Sequence, residues 1–167
     1  TYPKVALETV RINGKNINIY GIAKGSGMIA PNMGTMLSYI FIEAFLTKKI
    51  INKLLKLNID NTYNSISVDG DMSTNDTVML FSVGNENIKK IDSENKMFYK
   101  ILSIINKIML NLSHQIVCDG EGISKLIEVN VFKANSKKQA KKIAFSIAES
   151  LLVKTAIFGK DANWGRV

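Results

Sequence analysis

The dipeptide Asn13-Gly14 limits what this chain can fold into more than any other pair of its residues. It stands between two β-branched, apolar-rich runs, Val5 to Ile12 and Asn16 to Ala23. A two-residue connection of this kind favours a turn with positive φ at both positions, which Asn and Gly tolerate and whose twist suits paired strands. The chain is therefore expected to begin with an antiparallel hairpin that delivers Lys24 at the end of its second strand. Thr35 to Ile42 reads as a third strand. Lys48 to Leu57 places Ile50, Ile51, Leu54, Leu55 and Leu57 at helical spacing, and Val78 to Val83 reads as a buried strand.

Strands and helices alternate in the second half. A long helix is expected from a cap at Asp92 or Ser93, with Phe98, Ile101, Leu102, Ile105, Met109, Leu112 and Ile116 along one stripe. It ends at Cys118-Asp119-Gly120-Glu121-Gly122, where two glycines provide the turn. Lys125 to Phe132 reads as a strand. Ser136 and Gln139 form a capping box for a helix through Ser150, with Ala140, Ile143, Ala144, Ile147 and Leu151 facing inward. Val153 to Phe158 reads as a last strand. A β-rich start followed by this alternation indicates a layered α/β protein, and 167 residues suit one domain or a large part of one.

The net charge of +8 raises a nucleic-acid partner as a possibility, but the lysines are spread over expected helix faces and arginine occurs only at Arg11 and Arg166. A solvated lysine surface is the reading that follows. No apolar run approaches the ~18 residues of a membrane span, because Lys48 and Lys49 interrupt the best candidate. A single cysteine, Cys118, excludes an internal disulfide and fits a reducing cytoplasm. With one histidine there is no His cluster for a metal, and a His-dependent triad would rest on His114, which reads as a helix-surface residue. The opening Thr-Tyr-Pro-Lys, without Met or an apolar segment, suggests a chain whose beginning lies elsewhere.

Four polar stretches each close a strand or helix end, where sites in layered α/β proteins gather. The first, Lys24-Gly25-Ser26-Gly27 through Pro31 to Gly34-Thr35, is either a loop leading into a buried strand or a self-cleaving junction. For the latter, a hydroxyl must reach the preceding carbonyl and a glycine must leave it room. Its Lys precedes the glycines, which is not the order of a phosphate-binding loop. In the second, Asp69-Gly70-Asp71 followed by Asn75-Asp76 lacks the EF-hand spacing and reads as a network of Asx and Ser/Thr turns. Asp119-Gly120-Glu121-Gly122 reads as a helix stop, and Asp161 to Arg166 as a terminal turn packed under Trp164.

Taken together and in order, Gly21 to Leu37, Val68 to Thr77, Asp119 to Gly122 and Leu152 to Arg166 resemble the ArgJ family, the ornithine acetyltransferases or glutamate N-acetyltransferases of arginine biosynthesis. The resemblance implies an interior fragment of an α/β/β/α sandwich of the ArgJ/DmpA-like type, inactive by itself. It further implies self-cleavage at Gly34-Thr35, with residues 1–34 ending an α-chain segment and residues 35–167 beginning a β-chain segment. Thr35 would then be the nucleophile that carries acetyl from N-acetylornithine to glutamate, with its freed α-amine as base. Lys24, Glu121 and Thr1 match substrate-binding residues of the family. No cofactor or metal is implied. The implied partners are N-acetylornithine, glutamate and, as an open possibility, acetyl-CoA, together with the α and β chains of one precursor in a higher oligomer. An N-terminal-nucleophile aminopeptidase or amidohydrolase on the same scaffold is the competing reading.

Overall fold

The computed structural model describes residues 1–30, 36–71, 76–84 and 90–167. The expected hairpin forms from β1 (Lys4–Ile12) and β2 (Lys15–Lys24), paired antiparallel with Val10 opposite Ile17. Asn13 and Gly14 turn the corner at φ 50° and 79°, the two positive angles their side chains permit. Next, β3 (Leu37–Ile42) adds antiparallel to β2. β4 (Thr77–Ser82) then adds parallel to β3, giving the order β1-β2-β3-β4. A parallel neighbour needs a crossover. It is supplied by α1 (Lys48–Ile59), capped by the Thr47 hydroxyl, and a short 3₁₀ turn, Tyr63–Ser65.

The period of two divides the sheet sharply. Val10, Ile12, Ile17, Ile19, Ile40, Ile42 and Leu80 face the helices and are buried. Over them lies α2 (Lys96–Val117), whose stripe Phe98, Ile101, Ile105, Ile108, Met109, Leu112 and Ile116 is fully enclosed. Gly21 sets how close α2 comes, since a Cβ there would sit 2.7 Å from Ile108 Cγ2 and 2.8 Å from Leu112 Cδ1. The sheet's other face is also apolar but open: Val5, Leu7, Tyr20, Ile22, Met79, Phe81 and Val83 are exposed. Phe41 and Phe81 stack on that face at 5.0 Å between ring centroids. One helical layer and one β layer of the expected α/β/β/α order are therefore present, and the bare face is the one on which a second sheet stacks in that architecture.

Several expectations need correction, among them the buried strand at Val78 to Val83, where Leu80 is buried but Met79, Phe81 and Val83 are exposed because that face of the sheet is open. The α2 cap is Asn95, whose side chain accepts the N–H groups of Met97 and Phe98, in place of Asp92 or Ser93. Residues 125–132 keep a strand's alternation, with Lys125, Ile127, Val129 and Val131 half-buried and Leu126, Glu128, Asn130 and Phe132 exposed. They form no strand because no described residue pairs with them. Val153 to Phe158 is helical, within α4 (Leu151–Phe158), because Ser150 caps the Val153 N–H and the backbone bonds close on helical partners. A short apolar run fits either element by periodicity, and here the cap decides.

The capping box shifts as well. Ser136 caps α3 (Lys137–Ala148), while Gln139 Oε1 reaches back to the Asn135 N–H. Ala140, Ala144 and Ile147 are half-buried, but Ile143 and Leu151 are exposed.

Candidate active site

The last pair of the β2–β3 ladder sets Lys24 opposite Leu37. Lys24, exposed at the mouth of its loop, thus lies across from the residue two places after Thr35. The path out of β2 turns through Gly25, at φ 148°, and Met28, at φ 54°, to Ala30. It is next described at Met36, so Gly34 and Thr35 themselves lie outside the described residues.

The second polar stretch binds the first. Val68 donates its N–H to Ile29 O at 2.8 Å. The Asp69 carboxylate accepts the N–H groups of Met28 at 2.6 Å and Ile29 at 3.1 Å, and that of Asp71 at 3.2 Å. Asp76 accepts the Met36 N–H at 2.5 Å, and Thr77 donates to Met36 O at 3.0 Å. Burial pushes the Asp76 carboxyl above its ordinary range, with the Met36 bond pulling the other way. The Asx turn forms at Asp69, whose carboxylate also serves the backbone of a neighbouring segment, while residues 72–75, with the expected Ser/Thr turns, lie outside the described residues. Among the described residues no three His, Cys, Asp or Glu side chains converge to hold a metal ion.

The third stretch packs on both. Gly120 is buried, and a Cβ there would lie 3.1 Å from Val68 Cγ1 and 3.5 Å from Ser26 O. Glu121, the next residue along the turn, is exposed. The turn's other acid, Asp119, is spoken for: the Lys4 ammonium approaches to 2.5 Å, the Thr1 hydroxyl donates at 2.5 Å and the Tyr2 N–H at 3.3 Å. These bonds, Lys4's first and Thr1's second, hold its carboxyl far below the usual carboxylate range. Thr1 is therefore attached to the turn that bears Glu121.

The fourth stretch is joined through the residues ahead of it, at the end of α3 and in α4. Lys154 of α4 donates to Val68 O at 3.0 Å, and the Ser67 hydroxyl meets Glu149 Oε1 at 3.3 Å. Its far end does not pack under Trp164, which is 87% exposed. Arg166 folds back instead, onto Leu152 O at 3.1 Å and the Thr155 hydroxyl at 3.2 Å. His114 is exposed on α2, as expected, and borders a groove of about 690 Å³ between α2, residues 120–131 and α3, with Glu121 also on its wall. A second hollow of about 460 Å³ is lined by Ile29, Ala30, Met36, Tyr63 and Asp76.

Lys24 and Glu121 are thus both exposed, on loops that touch at Ser26 and Gly120. Sequence reasoning missed two parts of this arrangement. Lys4, buried and bonded to Asp119, has a partner 115 residues away that no local pattern points to. The grip of Asp69 on Met28 and Ile29 was foreshadowed only by the Asx signal of Asp69-Gly70.

The whole length of the chain is similar to known proteins. The sequence model of the ArgJ family matches residues 1–167. The arginine biosynthesis bifunctional protein ArgJ of Bradyrhizobium diazoefficiens is 46% identical over 100% of this chain and 41% of its own length. That of Thermotoga neapolitana is 48% identical over 98% of this chain, again 41% of its own length. The chain thus spans about two fifths of the curated relatives it matches. Among solved structures, the crystal structure of the arginine biosynthesis bifunctional protein ArgJ of Bacillus halodurans superposes with a TM-score of 0.72 at 38% identity, over 79% of this chain and 62% of that one.

Proposed function

Because the chain belongs to the ArgJ family, we propose that it is the central part of a self-processed acetyltransferase of arginine biosynthesis. In this reading residues 1–34 end one segment of the precursor and residues 35–167 begin the other. The Thr35 hydroxyl attacks the Gly34 carbonyl. As the C–O bond forms, the C–N bond breaks and the nitrogen takes a proton. Water then hydrolyses the ester, leaving Gly34 as a carboxylate and Thr35 with a free hydroxyl and α-amine. An α-amine with an ordinary pKa of about 7.7–8.0 suits a general base near neutral pH.

Acetyl then passes from N-acetylornithine to the Thr35 hydroxyl, ornithine leaves, and the amine of glutamate takes the acetyl group from the ester. Lys24 meets a substrate carboxylate, Glu121 the cationic end of ornithine, and Thr1 lines the same pocket. An amide is exchanged for an amide, so the scheme calls for no cofactor. We assign the enzyme to the cytoplasm, paired with the rest of its precursor, and expect the 167 residues alone to be inactive. That rests on their spanning only two fifths of the relatives' length.

One observation carries the reading most: Gly120 sits against Ser26 O and Val68, so three stretches far apart in sequence meet beside the strand that follows Thr35. The full-length protein tests it. Intact mass after denaturation is expected to show two species that divide between Gly34 and Thr35, and acetylornithine turnover is expected to depend on glutamate. Thr35→Ala should abolish both. An uncut chain refutes the processing, and turnover indifferent to glutamate would favour an amidohydrolase on the same scaffold.

A further inference from the structure

Asp69 and Asp76 hold the backbone on both sides of the segment that contains Gly34 and Thr35. Upstream, the two oxygens of Asp69 take the consecutive N–H groups of Met28 and Ile29. Downstream, Asp76 takes the N–H of Met36, and Thr77 returns a bond to Met36 O. Asp69 accepts from Met28 at 2.6 Å and Asp76 from Met36 at 2.5 Å, and each carboxylate is sequence-distant from what it grips.

Neighbouring contacts keep the clamp in place. Val68 is bonded to Ile29 O, packed near Gly120 and held through its own carbonyl by Lys154, so Asp69 hangs from a fixed point. Asp76 directly precedes β4, whose parallel register with β3 pairs Thr77 with Leu37. The two jaws are thus anchored on different elements, one on a packed loop and one on the sheet.

We infer that Asp69 and Asp76 are positioning residues for the chemistry at Gly34-Thr35, setting the backbone on either side of it without touching the reacting atoms. The inference rests on the processing reading above. A hydroxyl that attacks its own preceding carbonyl depends on how the two ends of its segment are held, and misplacement by an ångström costs rates heavily. Neither acid is a nucleophile or a base in this role, since both are occupied by backbone donors.

The test uses the full-length precursor with Asp69→Asn, Asp69→Glu, Asp76→Asn and Thr35→Ala, following cleavage by intact mass and folding by circular dichroism. In the Asn variants, cleavage is expected to slow by roughly ten- to a hundredfold. Asp69→Glu, which retains a carboxylate, is expected to recover part of the rate, a recovery that a purely structural role at unchanged melting temperature would not produce. If Asp69→Asn fails to fold, Asp76→Asn and Asp69→Glu carry the comparison. Wild-type cleavage rates in folded Asn variants would overturn the inference while leaving the processing intact. A wild-type chain that stays uncut would overturn both, and cleavage in Thr35→Ala would overturn the nucleophile itself.

Discussion

The ammonium of Lys4 lies 2.5 Å from the carboxylate of Asp119, across a separation of 115 residues, with the lysine side chain only 1% exposed. The pair fastens the start of β1 to the turn after α2. Asp119 is depressed below its ordinary pKa by Lys4 and then Thr1. A carboxyl lowered in the folded state contributes stability that is present above its unfolded value of about 3.9 and lost as pH falls toward the folded one. Urea midpoints are therefore expected to decline below about pH 5, and Asp119→Asn should lower the midpoint at pH 7 and flatten that acid limb. An acid limb of unchanged slope in the variant would refute the assignment.

Asp76 is expected to act with the opposite sign. Its carboxyl is raised, chiefly by burial. Stability linked to it is therefore present below the ordinary Asp range and lost as pH rises through its folded value. Asp76→Asn should remove that loss, so the difference in midpoint between wild type and variant should shift in the variant's favour from pH 3 to pH 7. A difference that does not change with pH would contradict the raised carboxyl.

A buried hydroxyl pair offers a sharper energetic test. Ser38 Oγ and the Tyr63 hydroxyl lie 2.6 Å apart, with Ser38 fully buried and Tyr63 5% exposed, and burial pushes the phenol's pKa up. Removing one partner leaves the other unsatisfied in an apolar setting. Tyr63→Phe should then cost about 1–3 kcal/mol, and adding Ser38→Ala should cost little more. The measurement is a double-mutant cycle in urea, and additive costs would show that the two hydroxyls are not coupled.

Gly21 tests the packing that places the first motif. Alanine there puts a methyl group 2.7 Å from Ile108 and 2.8 Å from Leu112, both in the interior of α2. Overpacking of this kind costs about 1–3 kcal/mol, and trimming the obstruction with Leu112→Ala should make the Gly21→Ala cost smaller. Thermal melts of the four chains decide. An equal cost in both backgrounds would mean that β2 moves aside as a unit.

How much of this was legible in the sequence depends on the range of the deciding interaction. The hairpin was, because Asn13 and Gly14 carry its geometry within two residues. The buried stripe of α2 was too, because 3.6-residue periodicity is local. Its cap was not: Asp92, Ser93 and Asn95 are all competent, and only packing selects among them. The segment Val153 to Phe158 is apolar enough for either a strand or a helix, and Ser150 tipped it. Residues 125–132 have a strand's pattern but no described neighbour to pair with. Around the proposed site, Lys24 and Glu121 come from the family resemblance, while the clamp of Asp69 on Met28 and the pairing of Lys4 with Asp119 rest on contacts that no local pattern encodes.

The same touching loops predict an asymmetry between the two substrates. If Glu121 meets the cationic end of ornithine, Glu121→Gln in the full-length enzyme removes a charge-assisted contact worth about 1.5–3 kcal/mol, roughly ten- to a hundredfold in binding. The loss should fall on KM for acetylornithine and spare KM for glutamate, which has no cationic side chain. Lys24→Met removes a carboxylate partner and should weaken both substrates. Glu121 is exposed on its turn, so the substitution disturbs no packing and the kinetic change can be read directly. Initial rates over a grid of both substrates separate the cases. Equal changes in the two KM values for Glu121→Gln would remove Glu121 from donor recognition.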